Sequence, residues 1–409
     1  MKHNTLNIKI IVLIIAFFCA NCQNQAVPES KAEADIIEKP ELRVGAARTP
    51  LYFPMIKGKK LGLIVNQTST IGDQHLVDLL LEADMEIVKI FAPEHGFRGE
   101  ADAGEEVKDG KDKATGIPIG SLYGDKKKPS AEDLAGIDLL IFDIQDVGAR
   151  FYTYISTMHY IMESAAENQL PFLVLDRPNP NGHYVDGPVL DTSRYRSFVG
   201  MHPIPVVHGM TIGEYAQMVN GQGWLKNGAQ CELEVIPCEG YNHQTPYELP
   251  IKPSPNLPNN RSIYLYPSIC FFEGTVFSLG RGTTSQFQVI GAPDYPKTEF
   301  TFTPISRPGA KYPKHQDQVC YGVDLTQLAP KNIWTEAQLN LSYLLDVYEQ
   351  YPDKDNFFLK SNFFEKLAGN DQLREQLKAG KSENEIRASW EPELSNYKAM
   401  RKQYLLYAE

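Results

Sequence analysis

Positive charge is in short supply in this chain: 40 Lys and Arg stand against 51 Asp and Glu in 409 residues, a net charge of -11, and no basic stripe gathers the cations. Phosphate backbones are held by clustered cations, so nucleic acid is not an expected partner. Cysteine is scarce too. Of six, Cys19 and Cys22 fall in the first two dozen residues, leaving Cys231, Cys238, Cys270 and Cys320 with no CxxC or other metal spacing. Four cysteines in so large a chain make no disulfide framework, although an exported protein leaves a Cys231 to Cys238 bridge open. Three catalytic signatures are missing as well. No G-x-G-x-x-G follows a strand, no H-E-x-x-H supplies zinc ligands, and no G-x-S-x-G elbow presents a serine. Dinucleotide cofactors, metal-dependent hydrolysis and serine hydrolysis therefore lose their usual support, and the expectation is an activity with no cofactor and no metal. No apolar run reaches the ~20 residues that span a bilayer.

The longest such run is at the start. "IIVLIIAFFCA" (10–20) follows Lys2 and Lys9 and leads to Cys22, the pattern of an export signal too short to remain as a membrane helix. A cysteine directly behind it marks a bacterial lipoprotein, with cleavage before Cys22 and lipid on its thiol. Residues 23–44 are polar, charged and aperiodic, as a flexible tether would be. The expected location is outside the cytoplasm, anchored to a membrane and facing the periplasm or the cell surface.

The remaining ~365 residues suffice for two domains. Short apolar runs alternate with helical patterns: "LGLIVN", "EIVKIFA", "DLLIFDIQ", "PFLVLDR", "IPVVHG" and "CELEVIP" read as strands, while 76–83, 154–167 and 211–220 read as helices. Strands apolar throughout and separated by helices imply a parallel sheet covered on both faces. The fold class is α/β: a Rossmann-like parallel-sheet domain over 45–292, then a smaller α/β domain over 293–409 where the texture turns proline-rich and finally helical. Two stripes, Ala337/Leu341/Leu344/Tyr348 and Tyr397/Met400/Tyr404/Tyr407, read there as helix faces. No internal repeat is visible.

In such sheets ligands bind beyond the carboxyl ends of the strands. The residues there are Asn66; Glu94, His95 and Arg98; Asp143, Gln145, Asp146 and Arg150; Asp176 and Arg177; and His208. Asn256 in "PSPNLPN" and Glu273 and Arg281 in "FFEGTVFSLGRGTTSQF" join them. Together they describe one charged cleft, although Asp143 and Asp176 equally suit Asx turns, Asp146 a helix cap and His208 a strand end. His159, in mid-helix, reads as a core residue.

"APEHGFRGEADAGEEV", "LLIFDIQDVGARFYTYISTM", "LDRPNPNG", "VHGMTIGEYA", "PSPNLPN", "FFEGTVFSLGRGTTSQFQVIGAP" and "IRASWEPELSNYKAMRKQYLLY" run in order from about residue 45 to the end. They resemble the bacterial NamZ-type exo-β-N-acetylmuramidases, glycoside hydrolases formerly classed as a domain of unknown function. The resemblance implies an active site between the two domains and release of N-acetylmuramic acid from non-reducing ends of peptidoglycan fragments during cell-wall turnover. It places a catalytic glutamate on Glu94 and a second on Glu273, with peptidoglycan fragments as the partner.

The residues suit that chemistry on their own account. Glycoside cleavage commonly uses two carboxyl groups, one protonating the leaving oxygen and one acting as nucleophile or base. Glu94 is the expected acid/base and Glu273 the second carboxylate, an assignment open to reversal or to substrate assistance by the acetamido group. The lactyl carboxylate of muramic acid calls for a guanidinium, and Arg98, Arg150, Arg177 and Arg281 are the candidates. A tethered sugar- or muropeptide-binding protein without catalysis would use the same cleft and is the alternative.

Overall fold

The computed structural model describes residues 41–97 and 109–409. The described residues form one compact unit. Cys22, the signal and most of the tether, and Arg98 among the site candidates, lie outside the described residues.

In chain order the elements begin with α1 (Thr49–Ile56), β1 (Lys60–Val65), the hairpin strands β2 (Thr70–Ile71) and β3 (Gln74–His75), α2 (Leu76–Glu82) and β4 (Glu86–Ala92). There follow β5 (Gly110–Lys111), β6 (Pro118–Ser121), β7 (Leu139–Asp143), α3 (Tyr154–Glu167), β8 (Phe172–Leu175), α4 (Ile212–Gly221) and β9 (Leu233–Ile236). The second half holds α5 (Asn260–Ile269), β10 (Val289–Ala292), β11 (Thr301–Phe302), β12 (Cys320–Asp324), α6 (Pro330–Glu336), α7 (Ser342–Gln350), α8 (Phe363–Ala368), α9 (Gln372–Lys378) and α10 (Glu383–Arg401).

The main sheet has the order β5-β6-β4-β1-β7-β8-β9, parallel except for β5 against β6. Counting only the six parallel strands, this is the 3-2-1-4-5-6 order of the Rossmann fold, with its direction reversing between β1 and β7. Alternation explains how uniformly apolar strands serve both faces. Leu61, Leu63 and Val65 of β1, Leu139 and Ile141 of β7, and Leu173 and Leu175 of β8 pack on the side of α1 and α2. Ile64, Leu140, Phe142, Phe172 and Val174 point the other way, into the larger core with α3, α4 and α5. Successive side chains leave a strand on opposite faces, so a strand covered twice must be apolar at every step.

The small sheet is antiparallel, β10-β12-β11, and its first strand ends at Ala292. Three sequence expectations change. Residues 204–209 form no strand: Val207 makes only isolated bridges to Ala149 and Asp186, because Pro203 and Pro205 supply no ladder donors. The stripe 337–348 is not one helix, since Ala337 takes a left-handed conformation at the end of α6 and α7 starts at Ser342. Likewise α10 stops at Arg401 and a 3-10 turn carries the chain to Tyr404, so Tyr407 lies beyond the helix.

Candidate active site

Glu94 is presented by a turn that its neighbours dictate. β4 ends at Ala92, Pro93 follows, and the Gly96 amide donates to the Pro93 carbonyl (3.0 Å). His95 and Gly96 close the turn in the left-handed region (φ 71° and 76°), a conformation rare outside glycine. Glu94 Oε2 accepts a hydrogen bond from Thr153 Oγ1 (2.6 Å) at the start of α3. Tyr123 lies beside it; burial first, then the Glu94 charge, holds its phenol well above the usual range.

Glu273 reaches the same cleft from the second half. α5 is started by a reciprocal capping box between Asn259 and Ser262 and runs into a 3-10 turn, Cys270–Gly274, that carries the carboxylate. The residue after it must be glycine: a β-carbon on Gly274 would meet the Phe364 backbone at 2.4 Å. Arg281, set between the left-handed Gly280 and Gly282, grips Glu273 Oε1 with Nε (2.9 Å) and Nη2 (2.7 Å). Its guanidinium lies 5.0 Å from the centre of the Phe287 ring. Burial works to lower the Arg281 pKa, and the Glu273 charge more than offsets it, so the pKa is raised. Cys270 Sγ approaches Glu273 Oε2 at 3.6 Å.

These groups line a cleft of about 1000 Å³. Aromatic side chains form much of its wall: Tyr266 packs edge-on against Phe151 (5.2 Å), Tyr152 (5.8 Å) and Phe287 (5.1 Å). Lys314 Nζ donates to the carbonyls of Thr275 and Phe277 (2.5 and 2.9 Å), and burial pushes its pKa down to about 8. Asn256 Nδ2 donates to the Gly309 carbonyl (2.9 Å), leaving the buried Oδ1 without a partner among the described residues.

Of the sequence candidates, the structure brings Glu94, His95, Asn256, Glu273 and Arg281 to the cleft. The other described ones do not line it; they are buried within the fold, where most of their polar atoms are bonded, although Asn66 Nδ2, Gln145 Oε1, Asp146 Oδ1, Arg150 Nε and His208 Nε2 have no hydrogen-bond partner among the described residues. Asp143 and Arg177 form a buried two-point ion pair (2.5 and 2.9 Å). Asp176 accepts from Thr211, Gly213 and Tyr407, and its pKa is pushed up to about 6, chiefly by burial. Arg150, buried, donates to the carbonyls of Pro188, Ile204 and Leu367; burial pushes its pKa down to about 9. Asn66 accepts from Thr68, and Gln145 donates to the Asp146 and Pro178 carbonyls. Asp146 accepts from the Gly148 amide, and His208 sits 3.8 Å from it.

His159 is a core residue as expected, paired with His202 at 3.0 Å. The four described cysteines are buried free thiols. Sequence reasoning missed Tyr123, Thr153, Lys127 and the 309–314 stretch; only the place of Thr153 within "DIQDVGARFYTY" gave any hint.

A Rossmann-like sheet with two carboxylates and edge-packed aromatics at one cleft suits the class of carbohydrate-cleaving α/β proteins. Two family models match the chain, the N-terminal part of exo-beta-N-acetylmuramidase NamZ over residues 61–261 and its C-terminal part over 264–407. The peptidoglycan beta-N-acetylmuramidase NamZ of Bacillus subtilis (strain 168) is 40% identical over 401 residues, spanning 93% of this chain and 95% of that protein. Two solved DUF1343 family proteins of Bacteroides fragilis are also similar. One is 49% identical with a TM-score of 0.84, the other 30% with 0.76; each match covers 90% of this chain and all of the solved one. This chain belongs to the NamZ exo-β-N-acetylmuramidase family.

Proposed function

We propose that the chain is an exo-acting β-N-acetylmuramidase that releases N-acetylmuramic acid from the non-reducing ends of peptidoglycan fragments, and that Glu94 and Glu273 carry the reaction. The carrying observation is that both glutamates, far apart in sequence, line one cleft with an aromatic wall. Glu94, hydrogen-bonded by the Thr153 hydroxyl, is the acid/base that protonates the leaving oxygen. Glu273, ion-paired with Arg281, is the second carboxylate, placed to stabilise positive charge developing on the sugar ring. In this reading 45–292 supplies both glutamates and 293–409 closes the cleft through Lys314 and Phe363. Loss of a general acid or base costs ~10²–10⁴ in rate. Glu94→Gln and Glu273→Gln should each lose at least ~100-fold in turnover of a chromogenic β-muramide while keeping the melting temperature; near wild-type turnover in both would refute the assignment.

The lactyl carboxylate of the substrate is held by positive charge in the cleft. Arg150 and Arg177 are committed to the fold, which among the described candidates leaves Arg281, paired with Glu273 at the cleft and with Lys314 beside the same ion pair, for this role; Arg98 lies outside the described residues. The chain is exported and anchored by lipid on Cys22, a reading supported by the short apolar run ahead of that cysteine. Cells expressing the full chain should incorporate labelled fatty acid into it and lose that label, together with membrane sedimentation, in Cys22→Ala. An unlabelled wild-type chain would rule the anchor out.

A further inference from the structure

Between β11 and β12, at the cleft edge, Tyr312 is 92% exposed, by far the most exposed of the large apolar side chains described. An aromatic ring left in water usually reflects a floppy loop, but this backbone is pinned on both sides. Before it, Arg307 and Ala310 exchange backbone hydrogen bonds (3.1 and 2.9 Å), and the Gly309 carbonyl accepts from Asn256 (2.9 Å). After it, Lys314 bonds the carbonyls of Thr275 and Phe277, and His315 Nε2 lies 2.6 Å from the carbonyl of Val276. The ring is thus an apolar face carried on a pinned backbone and burying almost nothing within the chain.

Resting on the muramidase reading above, we propose that Tyr312 is the stacking platform for the leaving saccharide, the N-acetylglucosamine unit next to the scissile bond. An exo-acting enzyme encloses the terminal sugar beside its carboxylates, and the rest of the fragment must leave through the mouth. A pyranose presents an apolar C–H face there, which an aromatic ring covers without hydrogen-bond demands. The pinned backbone means little backbone entropy is lost when the sugar docks. Tyr312 touches the leaving part only, so it governs affinity for extended substrates and leaves the bond-breaking step alone.

The test compares two substrates, the N-acetylmuramyl-β-1,4-N-acetylglucosamine disaccharide and the β-methyl glycoside of N-acetylmuramic acid, with wild type, Tyr312→Ala and Tyr312→Phe in the full chain. Tyr312→Ala should raise KM for the disaccharide about three- to tenfold with kcat nearly unchanged. It should leave the methyl glycoside unaffected, and Tyr312→Phe should behave as wild type on both. An unchanged KM for the disaccharide, or the same loss on both substrates, would overturn the platform while leaving the muramidase reading in place. A wild-type protein that cleaves neither substrate would overturn that reading, and the platform with it.

Discussion

Thr153 occupies the position ahead of α3 where a hydroxyl usually caps the helix, yet no capping bond forms there and its Oγ1 is given to Glu94 instead. A hydrogen bond to a charged group is worth ~1.5–3 kcal/mol, so Thr153→Val, equal in shape, should lower kcat/KM about tenfold or more. It should also displace the pH–rate profile, which loss of packing alone would not do; an unchanged profile would make Thr153 merely structural. Lys314 offers a second test. Its ammonium, pushed by burial down to about 8, loses its charge as pH rises through that value. The KM for muramic substrates should therefore climb above about pH 8, and Lys314→Met should abolish that climb while sparing N-acetylglucosamine analogues, which lack the lactyl carboxylate. Equal weakening of both sugars would remove Lys314 from substrate recognition. His95 and Phe287 add a different cost at the same cleft, each holding a left-handed backbone (φ 71° and 51°), of order 1 kcal/mol or more apiece.

At the scale of elements, α3 and the segment just after 200 share a buried histidine pair. His159 Nδ1 meets His202 Nε2 at 3.0 Å, His202 Nδ1 meets the Tyr215 hydroxyl at 2.6 Å, and Trp224 stacks on His202. Burial lowers both imidazoles, His159 to about 4, even though Glu163 stands 3.6 Å from it; Lys128 and Arg196 act in the lowering direction on His159. Folded His159 stays neutral while an unfolded histidine takes up its proton near 6.5. Its stabilising contribution is therefore full above 6.5 and lost as pH falls toward 4. Denaturant titrations should show roughly 1–2 kcal/mol less stability at pH 5 than at pH 7 from His159, and His159→Phe should flatten that dependence.

The chain's last residues form another such element. Tyr407 donates to Asp176, Ala408 accepts from the His243 amide, and the Leu406 amide donates to Glu214. Removing 405–409 would strip partners from two fully buried carboxylates, so the melting temperature should fall by several degrees, by a loss of ~1–3 kcal/mol per stranded group.

For the whole molecule, the sequence was most legible where geometry is periodic. Runs such as 61–66 and 138–145 named their strands because a sheet buried twice demands apolar residues throughout. Strand ends were harder to read. Glu94 and Asp143 each follow an apolar run, yet one lines the cleft and the other is buried against Arg177. Both environments select an acid, and only the pairing across β7 and β8 decides between them. Arg150 and Arg281 differ in the same way: one guanidinium satisfies three carbonyls from distant segments, while the other faces Glu273. Tyr312 and Lys314 gave no signal, since a proline-punctuated loop carries no period to read.

The cleft draws Glu94 from the first half of the chain, Glu273 and Arg281 from just past the middle, and Lys314 and Phe363 from later still. Any product of interrupted synthesis or early proteolysis that stops short of these segments lacks part of the cleft lining. The cleft is therefore a late product of the chain: its wall closes only when segments from both ends of the polypeptide have met.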